Sequence, residues 1–240
     1  MCYHVEVPNW SELEKLEAYA VRNDDWEEYY HHISGFTHHH LPVITSQNPK
    51  QIQPYAWGLI PAWAANRNKA NEIRVNTLNA KSETAFELVS FKNSIGKKRC
   101  LIAIKGFYEW MELNKAKYPY YIHMKDRKVF TLGVIYEDWV DKETGEVLQT
   151  CSILTTQANT LMAKIHNVKK RMPLIINEAD REAWLSQDLS TEQIKQLMKP
   201  YDENKIEAYT ISKLITSKTE SSNQAKVKDK LEYPELALFE

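Results

Sequence analysis

The apolar positions of this chain fall in short runs rather than in long helical stripes. Between residues 99 and 156, "RCLIAIKGFYEW", "YPYYIHM", "KVFTLGVIYEDW" and "TCSILTT" follow one another, separated by charged or turn-like segments such as "DKETGEV". Each is rich in β-branched and aromatic residues and has the length of a strand. "HLPVITSQ" and "QIQPYAWGLIP" are earlier strands bounded by prolines, and "MPLII" and "IEAYTIS" are later ones. Residues 11–33 predict helix with a break near Asn23–Asp25, and Ser11 with Glu14 has the form of a capping box. Ser82 is placed to cap a helix through "TAFELVSF", and "NTLMAKIH", "NEADREAWLSQ" and "STEQIKQLMK" predict three more. The polar stretch "NRNKANEIRVNTLNAKSET" reads as loop. Strands succeed each other without regular crossover helices, which predicts one α+β domain with a largely antiparallel sheet system and peripheral helices. Residues 1–217 form that domain, and the polar stretch 218–240 reads as a loosely ordered tail.

Composition narrows the function classes. The chain has 240 residues, 43% hydrophobic and 26% charged, the profile of an ordinary soluble domain. Its longest apolar runs are too short to span a bilayer, and no basic segment followed by an apolar stretch opens it. Three scattered cysteines make neither a disulfide framework nor a zinc site, so a reducing, cytoplasmic setting is expected. The net charge of −1 does not announce a nucleic-acid binder. Any phosphate contact must come from one of two local clusters, "GKKRC" or "KIHNVKKRMP". Six glycines supply no glycine-rich phosphate loop.

Several residues have the chemistry of a site. Cys2 follows the initiator methionine, and methionine removal would place a thiol and an α-amine on adjacent atoms of one residue. On a strand through "GFYEW", Phe107 and Glu109 point to one face, Tyr108 and Trp110 to the other. A carboxylate among so many apolar groups is desolvated, which raises its pKa toward the range useful for proton transfer. His166 closes the short helix before a basic stretch, whose charges favour its neutral form. Trp57 and Trp63 flank a proline-containing turn and have the faces to stack on unpaired bases. Asn79 has an amide to orient a substrate, and Lys81 a point charge for a phosphate. The adjacent His38, His39 and His40 alternate in direction along an extended chain, with no Cys, Asp or Glu at ligand spacing, so no metal site is expected.

In order and spacing, "MC", "WGLIPAW", "NAKSET", "RCLIAIKGFYEW", "ILTTQAN" and "IHNVKKRMP" resemble the SRAP family, the SOS response-associated peptidase or abasic-site processing proteins. The resemblance runs from Cys2 to the "DREAWL" helix. It implies a β-barrel-like centre with a basic groove, binding of single-stranded DNA, and a covalent crosslink between abasic sites and the N-terminal cysteine. Cys2 matches the nucleophile, Asn79 the active-site asparagine, Glu109 the catalytic glutamate and His166 the catalytic histidine. DNA contacts are implied for His4, Trp57, Trp63, Lys81, Trp110 and Arg171, with no cofactor. Tyr3-His4 stands where Gly-Arg is commoner, Lys81 where arginine is. The His-x-Arg-Met-Pro motif is widened between His166 and Arg171, and the extra residues are expected to bulge outward.

The expected chemistry joins an α-amine to the aldehyde of a ring-opened abasic sugar as a Schiff base. The neighbouring thiol then closes a five-membered thiazolidine, an intramolecular step. Glu109 transfers protons at the amine or thiol, and His166 assists sugar-ring opening at the ring oxygen. Two alternatives remain at this point: an N-terminal-nucleophile cysteine peptidase or amidohydrolase, and a non-catalytic single-strand binder. The oligomeric state is not legible in the chain.

Overall fold

The structure, a computed structural model, describes residues 2–14, 20–21 and 31–236. Its strands are β1 (His4–Glu6), β2 (Ala20–Val21), β3 (Ile33–Ser34), β4 (His40–Thr45), β5 (Gln51–Trp57), β6 (Asn79–Lys81), β7 (Arg99–Ile104), β8 (Gly106–Leu113), β9 (Ala116–Met124), β10 (Phe130–Val140), β11 (Val147–Gln157), β12 (Arg171–Pro173), β13 (Ile175–Ile176) and β14 (Ile206–Thr210). The antiparallel path β11-β10-β7-β4-β5 is closed by a parallel pairing of β11 with β5, Thr150 opposite Ala56 and Cys151 opposite Trp57. This five-stranded barrel is the expected sheet core. The short β6 and β12 extend its β11 side, through Ile153 opposite Asn79 and Thr155 opposite Pro173.

The continuous apolar run of β7 follows from burial on both faces. Cys100, Ile102 and Ile104 point into one core with Val43, Leu132 and Ile153. Leu101 and Ala103 point outward, under Trp184 and Ile194 from the helices Arg181–Leu185 and Thr191–Leu197. The indole of Trp184 donates to the Cys100 carbonyl at 2.8 Å, satisfying its N–H in that apolar layer.

One residue past β7 the chain enters a second sheet, ordered β14-β9-β8-β1-β3. Gly106 makes this corner possible, because a Cβ there would stand 2.4 Å from the Tyr121 ring. The inner side of this sheet, including Val5, Phe107 and Ile122, shares the barrel's core cluster. Tyr108 and Tyr121 face the other way, onto Ile211, Ile215 and Val227. The described part of the stretch expected to be loosely ordered, residues 218–236, has little regular structure beyond the 3₁₀ turn Ala225–Lys228. It is nevertheless docked: Val227 is fully buried, and Lys228 pairs with the buried Glu6.

Local expectations fail where polar sequence hides a periodic element. "NRNKANEIRVNTLNAKSET" is not a loop throughout. Asn66 accepts the Lys69 N–H at 2.9 Å and caps the helix Arg67–Arg74, and Asn79–Lys81 is strand β6. The helix expected after Ser82 gives way to turns, with only Lys92–Ile95 helical. At the N-terminal end the helix is Trp10–Glu14, and Ser11 lies inside it. The reciprocal cap is made by Asn9 and Glu12, each accepting the other's backbone N–H at 2.9 Å. Ala20–Val21 and Ile33–Ser34 are strands rather than helix, and the remainder of that expected helix, residues 15–19 and 22–30, lies outside the described residues.

Candidate functional site

Three segments bring Cys2, Glu109 and His166 together beside the shared core. Cys2 is separated by Tyr3 from the start of β1 at His4 and is fully buried, its Sγ 3.9 Å from the His4 carbonyl. β1 lies on β8 with Val5 opposite Phe107. Alternation along β8 behaves as expected: Phe107 joins the barrel-side cluster with Cys2, while Tyr108 and Trp110 pack on the opposite side. Glu109, on the side of Phe107, is 4% exposed. Burial pushes its carboxyl up to about 7, against the Trp110 backbone hydrogen bond and Lys169, which favour the anion. Burial, with the Glu109 charge second, also drives the Cys2 thiol far above its ordinary range.

His166 is the C-cap of the helix Thr160–Ile165, whose N-cap Asn159 accepts the Met162 N–H at 2.9 Å. Its Nδ1 lies 3.0 Å from the Arg171 carbonyl and 3.9 Å from Glu109 Oε1. A carbonyl only accepts, so Nδ1 carries the proton and Nε2 holds the lone pair in the neutral ring. Burial, chiefly, lowers this histidine to about 4; nearby positive charges, Lys169 and Arg171 among them, add to it, and the hydrogen bond to the Arg171 carbonyl opposes it. The widened segment bulges as expected. Lys170 takes a left-handed conformation and its N–H returns to the His166 carbonyl at 2.8 Å, while Val168 is 64% exposed. Asn167 brackets the edge of β8, donating to the Glu112 carbonyl at 2.7 Å and accepting the Glu112 N–H at 3.1 Å.

Asn79 lies on β6, opposite Ile153 of β11, is 9% exposed and is not among the residues that line the cleft beside Glu109 and His166. Neither end of its amide has a hydrogen-bond partner among the described residues. A buried amide left so costs about 1–3 kcal/mol. Replacing Asn79 with leucine is therefore expected to raise the thermal midpoint by about 2–12 °C while removing function, checked by parallel melting and activity assays.

The expected DNA contacts separate into two groups. His4 and Trp110 line a cleft of about 440 Å³ together with Tyr3, Glu109, His166 and Lys169. Lys81 is exposed on β6, two residues from Asn79. Arg171, at the start of β12, forks onto Glu83 at 2.6 and 2.9 Å and donates to the Thr155 carbonyl at 2.6 Å, so its guanidinium is already engaged. Trp57 is fully buried with its indole on the Leu78 carbonyl at 2.8 Å; it supports the core and cannot stack on a base. Trp63 is 45% exposed but does not line the cleft. The "GKKRC" cluster is structural. Arg99 is fully buried on the carbonyls of Ile95, Gly96, Trp184 and Ser186, Lys98 pairs with Glu137, and Lys97 donates to the Gln187 carbonyl at 2.6 Å. Among the described residues no three His, Cys, Asp or Glu side chains gather as a metal site, and no helix is long and apolar enough to cross a membrane.

Sequence reasoning did not find Glu83, His32 or Ser222, which complete the surroundings of Arg171 and His4. Glu83 sits inside "NAKSET", where its spacing from Lys81 was a visible cue. Ser222 offered none, being 190 residues from its partner His32.

A small closed barrel, a second sheet laid against it, and a buried Cys–Glu–His cluster at their junction define a protein class by geometry. The chain belongs to the SOS response associated peptidase (SRAP) family, whose model matches residues 1–218. It is 36% identical over 184 residues to the abasic site processing protein YoqW of Bacillus subtilis (strain 168), covering 76% of this chain and 79% of that one. Over 166 residues it is 29% identical to the abasic site processing protein HMCES of Xenopus tropicalis, covering 61% of this chain and 48% of that one. A crystal structure of a Bacteroides thetaiotaomicron protein superposes with a TM-score of 0.89 at 36% identity, covering 96% of this chain and 100% of the other.

Proposed function

We propose that this chain processes abasic sites in single-stranded DNA, capturing them as a thiazolidine on Cys2 after Met1 is removed. The observation that carries the reading is the fully buried Cys2 thiol, near enough to Glu109 to feel its charge, with His166 3.9 Å from that carboxylate, beside an open cleft. The relatives' shared name, abasic site processing protein, supports the substrate.

The ionisation states order the steps. Neutral His166 presents the bare Nε2, so it takes the proton of the sugar's anomeric hydroxyl. The C–O ring bond breaks, the ring oxygen takes that proton back from the imidazolium and leaves as a hydroxyl, and the aldehyde appears. This refines the sequence expectation, since a histidine lowered to about 4 is a base and not an acid at neutral pH. The α-amine, with a pKa of about 8, adds to the aldehyde carbon and water departs, leaving the Schiff base. The thiol cannot ionise in advance in its apolar surroundings. It attacks the same carbon as its proton passes to Glu109, the C–S bond forms, and the C=N electron pair returns to nitrogen. Aldehyde plus aminothiol gives thiazolidine plus water. Asn79 hydrogen-bonds the sugar or Cys2 backbone, and Lys81 and Lys169 meet flanking phosphates.

Incubation with an abasic single strand, beside the same strand carrying uracil, tests the reading. A denaturant-stable shift with the abasic strand alone is expected. Cleavage of a peptide with no shift would instead establish an N-terminal-nucleophile hydrolase.

A further inference from the structure

Behind the cleft, a file of side chains leads away from His4. Its Nδ1 stands 2.7 Å from His32 Nε2, and the two rings stack with centroids 5.0 Å apart. His32 Nδ1 stands 2.7 Å from the Ser222 hydroxyl. His32 is 7% exposed and has the Tyr108 ring edge-on to it at 5.5 Å; His4 lies edge-on to Trp110 at 4.8 Å. Two further ties hold the same segment. Asn223 accepts the His31 N–H at 3.0 Å, and Lys228 pairs with Glu6 on β1. Ser222 lies beyond residues 1–218, the span the family model matches, and its segment is fastened to strand β1, which begins at His4.

Two imidazole nitrogens at hydrogen-bond distance share one proton. Burial keeps both rings neutral, taking His4 down to about 3 and His32 to about 4. In a neutral file the Ser222 hydroxyl sets every direction. When it donates to His32 Nδ1, His32 donates from Nε2 to His4 Nδ1, and His4 keeps an N–H at Nε2. When it accepts, each bond reverses and His4 Nε2 is a bare acceptor.

We propose that Ser222 and His32 are positioning residues for His4, through which the C-terminal segment presents an uncharged hydrogen-bonding contact to the nucleic-acid strand in the cleft. The ligand in this proposal rests on the abasic-site reading; the file itself does not. ¹⁵N-histidine NMR of the full chain without DNA tests the file. Ser222→Ala is expected to shift the tautomer balance of both His4 and His32, and an unchanged spectrum overturns the proposal. With abasic single-stranded DNA, Ser222→Ala and His32→Gln are each expected to weaken capture roughly fivefold. Both losses should vanish in a His4→Ala background, whereas additive losses mean a merely structural role and overturn it. The logarithmic salt slope of capture should be unaltered in His4→Ala and steeper by about 0.7 in His4→Arg, the increment of one phosphate contact on a single strand. A slope that flattens in His4→Ala overturns the uncharged contact. Wild-type protein that forms no adduct at all would defeat the functional reading, and the NMR result would still decide the file.

Discussion

Cys2→Ser is expected to lose the spontaneous, heat-stable adduct, with a rate lower by roughly three orders of magnitude. The α-amine survives this change, so a Schiff base still forms. Only ring closure is lost, because a buried hydroxyl is a far poorer nucleophile than the thiol it replaces. Two measurements separate the steps. Borohydride, which reduces a Schiff base to a stable amine, should restore a crosslink to Cys2→Ser. Without the reductant, the lingering Schiff base acidifies the neighbouring sugar carbon, and strand scission by β-elimination should rise above the wild-type level. Denaturing gels read both results. A Cys2→Ser protein that forms the unreduced, heat-stable adduct at the wild-type rate would remove sulfur from the chemistry. Retention of Met1 in adduct-forming protein, read by intact mass, would remove the α-amine of Cys2.

The parts of this fold legible in the sequence are those where burial leaves a period-two or continuous apolar trace. β7 is such a case: both of its faces are covered, so "RCLIAI" is apolar throughout. The closure of the barrel left no such trace. It depends on a parallel pairing of β5 with β11, strands about a hundred residues apart, at Thr150 and Cys151. The helix Arg67–Arg74 was hidden because its apolar face is only Ala70 and the half-buried Ile73. Trp57 shows the opposite error. A tryptophan beside a proline turn has the shape for stacking on a base, but its ring lies against Gly35, 3.1 Å from where a Cβ on that glycine would stand, and the Leu78 carbonyl holds its N–H inside the core.

The candidate site was legible through chemistry more than through pattern. Cys2, Glu109 and His166 each have a reactive group whose neighbours bias its ionisation, and the structure places the last two 3.9 Å apart. The expected directions for Glu109, upward by burial, and His166, downward, agree with the environments found. Second partners were illegible because they are set by tertiary contact alone. Glu83 occupies the fork of Arg171 across 88 residues of sequence, and only the folded chain reveals that a phosphate must displace a carboxylate to use that guanidinium.

Glu109→Gln should show the opposite signs of stability and activity that mark a buried catalytic base. The carboxyl goes from an ordinary 4.5 to about 7 on folding, chiefly through burial. Between those values the folded protein holds a proton that the unfolded chain has released. The stabilising contribution is therefore complete below about 4.5 and is lost as pH rises through 7. The loss amounts to about 3 kcal/mol by pH 8. Glutamine does not titrate, so the stability of Glu109→Gln relative to wild type should climb by that amount between pH 4.5 and 8, as read by denaturant melts at each pH. Its capture rate should move the other way. On the proposed mechanism, wild-type capture should rise through pH 7 as Glu109 becomes the carboxylate that would receive the thiol proton. The variant should run about a hundredfold slower and retain only the shallower rise of the α-amine toward about pH 8. A variant that gains stability with no loss of rate would make Glu109 a buried acid without a part in ring closure, and the thiol proton would need another acceptor.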